Sequence, residues 1–108
     1  MDRIAAVYFN GILAGFIQER TDQKWRYQFQ YDASYLAKGA PLSFRLPVRK
    51  EAFTSKELFP FFENLAAEGW MKQVQSTRMK IDEQDTFGLL IANGKDLIGA
   101  VTLEEVEL

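Results

Sequence analysis

The side chains able to do chemistry in this sequence are carboxylates, hydroxyls, lysines and arginines, because it contains no histidine and no cysteine. Without histidine there is no Ser-His-Asp triad and no imidazole base working near neutral pH. Without either residue the usual ligand set of a structural zinc site is missing. Ser34, Ser43, Ser55 and Ser76 have no histidine to activate them, which leaves a lysine base as the route to a serine nucleophile. The carboxylates include adjacent pairs, Asp82-Glu83 and Glu104-Glu105. Neighbours on a strand point to opposite faces, so Glu104 and Glu105 cannot act together as an acid–base dyad, and solvated surface is the simpler assignment. The glycines of "NGILAG" and "NGKDLIG" fit neither the dinucleotide fingerprint nor the phosphate-binding loop. No catalytic residue, metal site or cofactor is therefore expected.

One stretch, "KWRYQFQY", interleaves basic and aromatic residues and could imitate a stacking platform for single-stranded nucleic acid. Its strict alternation instead puts Trp25, Tyr27, Phe29 and Tyr31 on one face of a strand and Arg26, Gln28 and Gln30 on the other, the pattern of a sheet with one solvated side. The elements around it follow from local signals. Asn10-Gly11 predicts a hairpin, since both central residues of a type I′ turn need positive φ, and Gly15 marks a bulge or a close backbone approach in the second strand. "TDQK" is a polar turn. Asp32 caps one helical turn that stops at Gly39. In "PLSFRLPV" the alternation of Leu42, Phe44 and Leu46 predicts a short strand bounded by Pro41 and Pro47. Thr54 and Glu57 have capping-box spacing, and Pro60 suits the first position of a helix. A second helical piece carries the thin stripe Trp70, Val74 and Thr77. A third is capped by Asp85 and stopped at Asn93-Gly94. Val101, Leu103 and Val106 give a closing strand. The order of strands, short helices and a strand predicts an α+β fold: a small antiparallel sheet or partly closed β-barrel covered by short helices.

The bulk properties agree with one ordinary domain spanning residues 1–108. The chain is 47% hydrophobic, 14% aromatic and 26% charged, enough for a core and too charged for a membrane span. The N-terminus shows no signal-peptide pattern, and the lack of cysteine fits a reducing compartment, so a cytoplasmic location is expected. A net charge of −2 gives no global reason to bind nucleic acid directly.

The segment that these assignments leave over is "FPFFENLAAEGWM". Phe61, Phe62 and Leu65 can be the inner face of a helix with Trp70 as a cap. Alternatively the segment is an interface, because Trp is the residue type most enriched at binding hot spots and Trp70 follows a glycine between two helical pieces. Burying one Trp against a partner removes about 150–250 Å² from water, roughly 4–6 kcal/mol gross.

"VYFNGILAGFI", "PLSFRLPVR", "FPFFENLAAEGW" and "DTFGLLIANGKDLIGAVTL" together resemble, in order and spacing, the N-terminal domain of HipA-type serine/threonine kinases, toxins of bacterial toxin–antitoxin modules. The resemblance covers nearly the whole chain. It implies a small sheet or barrel with helices that packs on a kinase N-lobe. The ATP site, catalytic aspartate and metal ligands of such kinases lie in a core expected to begin where this chain ends, so no kinase activity is expected here. Leu65-Ala66-Ala67-Glu68 stands where the family often has Leu-Leu-Pro before an acidic residue, and Gly94-Lys95-Asp96 where it usually has Gly-Arg-Asp. The fold is expected to survive both changes.

A free-standing domain of this kind is similar to the small, HipS-like subunit of a three-gene Hip module linked to bacterial persistence. The resemblance then implies an antitoxin that binds and neutralises a HipA-like kinase toxin lacking this domain, in a ternary complex with a HipB-like DNA-binding protein. Trp70, Gly69, Glu68, Glu63, Phe62 and Phe61 are the expected partner-binding residues. The alternative is a non-inhibitory structural or regulatory domain excised from a fused HipA kinase.

Overall fold

The computed structural model describes residues 3–20, 25–37, 39–66, 86–92 and 100–106. Strands β1 (Arg3–Phe9) and β2 (Ile12–Glu19) form the hairpin predicted at Asn10-Gly11, whose φ values of 52° and 79° are those a type I′ turn needs. The Asn10 N–H also donates to the Ala100 carbonyl at 2.9 Å, which fixes the turn against the start of β5 (Val101–Val106). Strand β3 (Tyr27–Tyr31) lies on the other side of β2, and β4 (Phe53–Ser55) pairs with β3. The result is an antiparallel sheet of order β4-β3-β2-β1-β5. It is open, with β4 and β5 as its edges, so of the two sheet forms the sequence allowed the unclosed one is found.

Gly15 combines both roles predicted for it. The β1–β2 register slips between Val7 and Tyr8, leaving Ala14 as the extra residue of a bulge. A Cβ at Gly15 would sit 2.3 Å from the Gln30 carbonyl oxygen, so β3 can approach only because no side chain is there. The freed Ala14 carbonyl accepts from the Asp32 N–H at 2.8 Å. Asp32 in turn caps α1 (Ala33–Leu36) through the Ser34 N–H at 3.1 Å.

Helices α2 (Pro60–Ala66) and α3 (Thr86–Ala92) pack on each other and over one face of the sheet. Beneath them Ile17, Phe29, Phe62, Phe87, Leu90 and Leu103 are fully buried. Period-two alternation in β3 explains this face: Tyr27, Phe29 and Tyr31 point in, while Gln28 and Gln30 remain on the wetter side. The strand is shorter than predicted, however, with Trp25 half-buried in the bend before it.

Two local predictions are corrected. "PLSFRLPV" is not a strand. An isolated bridge joins Ser43 to Leu46, and the Leu46 N–H donates to the Ser43 carbonyl at 3.0 Å, closing a tight turn. The cause is the Tyr31 hydroxyl, which donates to the Leu46 carbonyl and accepts from the Leu42 N–H at 3.0 Å. Both leucines are thereby drawn inside and Phe44 is thrown out to 98% exposure. Likewise Thr54 caps no helix. It lies in β4, and the Glu57 N–H is taken by the Ser55 hydroxyl at 3.2 Å. The polar turn at 21–24, the helical piece at 70–80, the Asp85 cap and the Asn93-Gly94 stop lie outside the described residues.

Candidate protein-binding surface

Helix α2 carries half of the predicted contact residues. Pro60 occupies its first position, where the missing N–H costs nothing, and the Phe59 carbonyl accepts from the Glu63 N–H at 2.9 Å to open the helix. Glu63 is exposed in the first turn, where its charge suits the helix dipole. Phe61 is half-buried at the margin of the core. Phe62 is different: it is wholly buried, 5.5 Å from the Phe29 ring and 5.2 Å from Phe61. As a direct partner contact Phe62 is therefore corrected to a supporting residue beneath the surface, because helical spacing turns it toward the sheet when Phe61 faces outward. Glu68, Gly69 and Trp70 lie outside the described residues.

Phe61 opens onto a groove of about 370 Å³ that runs past β4. The Ser43–Leu46 turn, Arg49, the β4 residues and Phe59 to Phe61 line it. Arg49 is held in place: its guanidinium lies 3.8 Å above the Phe53 ring and donates to the Glu51 and Ala52 carbonyls at 3.3 and 3.2 Å. Phe44 stands fully exposed beside the lining residues Ser43 and Arg45. The sequence pattern concealed this feature, since a strand would have hidden Phe44 together with Leu42 and Leu46.

A further polar cluster among the described residues is structural. Glu19 is only 2% exposed, yet its carboxylate takes the Arg3 guanidinium at 2.8 Å, the Tyr27 hydroxyl at 3.2 Å and Arg26 at 3.5 Å. Each of these three groups donates to the carboxylate, which ties Arg3 of β1 and Tyr27 of β3 to β2. Burial, and then the Glu19 charge, push the Tyr27 phenol above its ordinary value; burial does the same to Tyr31. The signal for Glu19 was present in the sequence. An unbulged hairpin would set Arg3 opposite Gln18, and the extra residue at Ala14 shifts it to Glu19.

Among the described residues no group of acidic side chains could hold a metal ion, and no helix is long and apolar enough to cross a membrane.

Comparison with known proteins places this geometry. An uncharacterised protein of Haemophilus influenzae is 36% identical over 103 residues, spanning 95% of this chain and 92% of that protein. The putative kinase Y4mE of Sinorhizobium fredii is 31% identical over 103 residues, but the match covers only 24% of its length. Among solved structures, one described as the N-terminal domain of HipA toxin superposes with a TM-score of 0.75 at 32% identity, over 97% of this chain and 93% of the other. The HipA, HipB and operator DNA complex of Shewanella oneidensis shares the fold with a TM-score of 0.76 at 21% identity, the match covering 23% of that chain. The model of the HipA N-terminal domain matches residues 5–104, and the chain belongs to that family.

Proposed function

We propose that this protein is a non-enzymatic antitoxin that binds a HipA-like kinase toxin lacking this domain and neutralises it by protein–protein contact, in the cytoplasm and alongside a HipB-like DNA-binding protein. The observation that carries it is the pair of lengths among the relatives. The same domain makes up 92% of a small Haemophilus protein and 24% of a putative kinase. A domain that packs on a kinase when fused needs an intermolecular version of that interface when it stands alone, and an exposed apolar surface is what such a separation leaves. Trp70, Gly69, Glu68, Glu63 and Phe61 are the proposed contact residues, with buried Phe62 anchoring α2 to the sheet.

Growth rescue tests this. Cells expressing the toxin resume growth when this chain is co-expressed, and Trp70→Ala, at equal abundance and folded, rescues poorly. If the variant protects as well as the wild type, Trp70 is not the anchor. The match to the putative kinase favours a second reading, a structural or regulatory domain of a fused kinase; a continuous reading frame into a kinase core would establish it.

A further inference from the structure

The groove at β4 has features that neither the core nor the α2 surface requires. We propose that it is a docking site for an extended acidic protein segment bearing one aromatic or aliphatic side chain, laid alongside β4. Three observations carry this. First, among the described residues β4 is the terminal strand of the sheet and pairs only with β3, so its other edge can accept an added strand. Second, the charged residues in the lining are Arg45 and Arg49, with no acidic residue among the lining residues. Neither arginine forms an ion pair with a described residue. The chain as a whole is acidic, at net −2, so a basic strip beside an open strand selects acidic partners by charge. Third, Phe44 is 98% exposed at the tip of a turn that Tyr31 holds rigidly from inside. The backbone that carries the ring is therefore set before binding, which lowers the ordering cost.

The occupant is distinguished from two rivals. A nucleic acid strand would also meet arginines and a ring, but the open backbone edge of β4 serves a peptide and offers a base nothing. A second copy of this chain could bring its own acidic edge strand, where Glu104, Glu105 and Val106 are exposed. A free peptide tests the site without either.

The probe is a pool of fluorescein-labelled nine-residue peptides in which Glu alternates with Leu, Ile, Phe or Trp, titrated into the intact chain with no kinase present. The outcome is thus independent of the neutralisation reading. Anisotropy should rise with the acidic pool, weaken as salt is added, and shift the amide resonances of Phe53 to Ser55. Arg45→Glu and Phe44→Ala, both at exposed positions, should each weaken binding by about tenfold or more while the melting temperature stays unchanged. Four results overturn the proposal: no binding by any acidic peptide, equal binding by a pool with Lys in place of Glu, displacement by single-stranded oligothymidine, or perturbed resonances confined to the opposite face of the sheet. Concentration-dependent self-association that Glu104→Lys and Glu105→Lys abolish also overturns it, by making the second copy the occupant.

Discussion

The inner face of the sheet and the groove at its β4 edge are both built on aromatic rings, yet one is dry and the other open. Phe29, Phe62 and Phe87 are fully buried, whereas Phe44 is 98% exposed and Phe61 and Phe53 lie between. Residue type does not separate the two regions. Position does: rings on the inward period of β3 and on the sheet-facing side of α2 and α3 are covered on all sides, while a ring at the tip of a turn has nothing above it. The first region holds the fold together. The second presents a surface that the first keeps in shape, with Tyr31 as the joint, since its ring packs in the core and its hydroxyl ties down the turn that carries Phe44.

That division makes substitutions in the two regions differ in kind. The largest loss is expected from Phe62→Ala, about 3–5 kcal/mol by denaturant unfolding, because a ring in contact with Phe29, Phe59 and Phe61 is replaced by a cavity. A small loss there would mean that α2 rests loosely on the sheet. Glu19→Ala should cost about 2–4 kcal/mol, since it strips the acceptor from the buried Tyr27 hydroxyl and the partner from Arg3. The arginines are partly exposed, which keeps the value below that of a fully buried pair. Tyr31→Phe should cost about 1–2 kcal/mol and, more tellingly, broaden or move the amide resonances of residues 43–46. If those resonances stay put, the turn is held by something other than the hydroxyl.

Alkaline titration probes the same interior. Tyr27 and Tyr31 have phenols raised above the ordinary value of 10.0, so the folded state keeps protons that the unfolded chain gives up. Their contribution is fully present below pH 10 and is lost as the pH climbs from there through the folded-state values. Unfolding followed by circular dichroism should therefore begin above pH 10, as these two buried phenols are forced to ionise. The smallest stability effect belongs to the groove. Phe44→Ala should lie within about 0.5 kcal/mol of the wild type, its consequence appearing only in binding.

Much of the fold could be read from local signals that tertiary forces leave alone. Asn10-Gly11, the alternation through β3, the Asp32 cap and the Pro60 start each act within a few residues, and each is found. The misreadings occur where a distant group decides. Leu42, Phe44 and Leu46 alternate like a strand, but Tyr31, eleven residues from Leu42, bends them into a turn. Thr54 and Glu57 have capping spacing, but pairing with β3 claims Thr54 for an edge strand. At α2, residue type alone did not separate the sheet-facing ring from its neighbours: Phe62 is buried, whereas Phe61 is half-buried and Glu63 exposed. The groove with Phe44 had no sequence signal of its own, because its shape depends on that same turn.

The central proposal is most directly tested by titrating purified chain into a HipA-like kinase toxin that lacks this domain while following phosphoryl transfer to its substrate. A saturable fall in rate, accompanied by a stable complex of the two on gel filtration and lost with Trp70→Ala, is the predicted result. An undiminished rate in the presence of excess folded chain, with no complex formed, would contradict it.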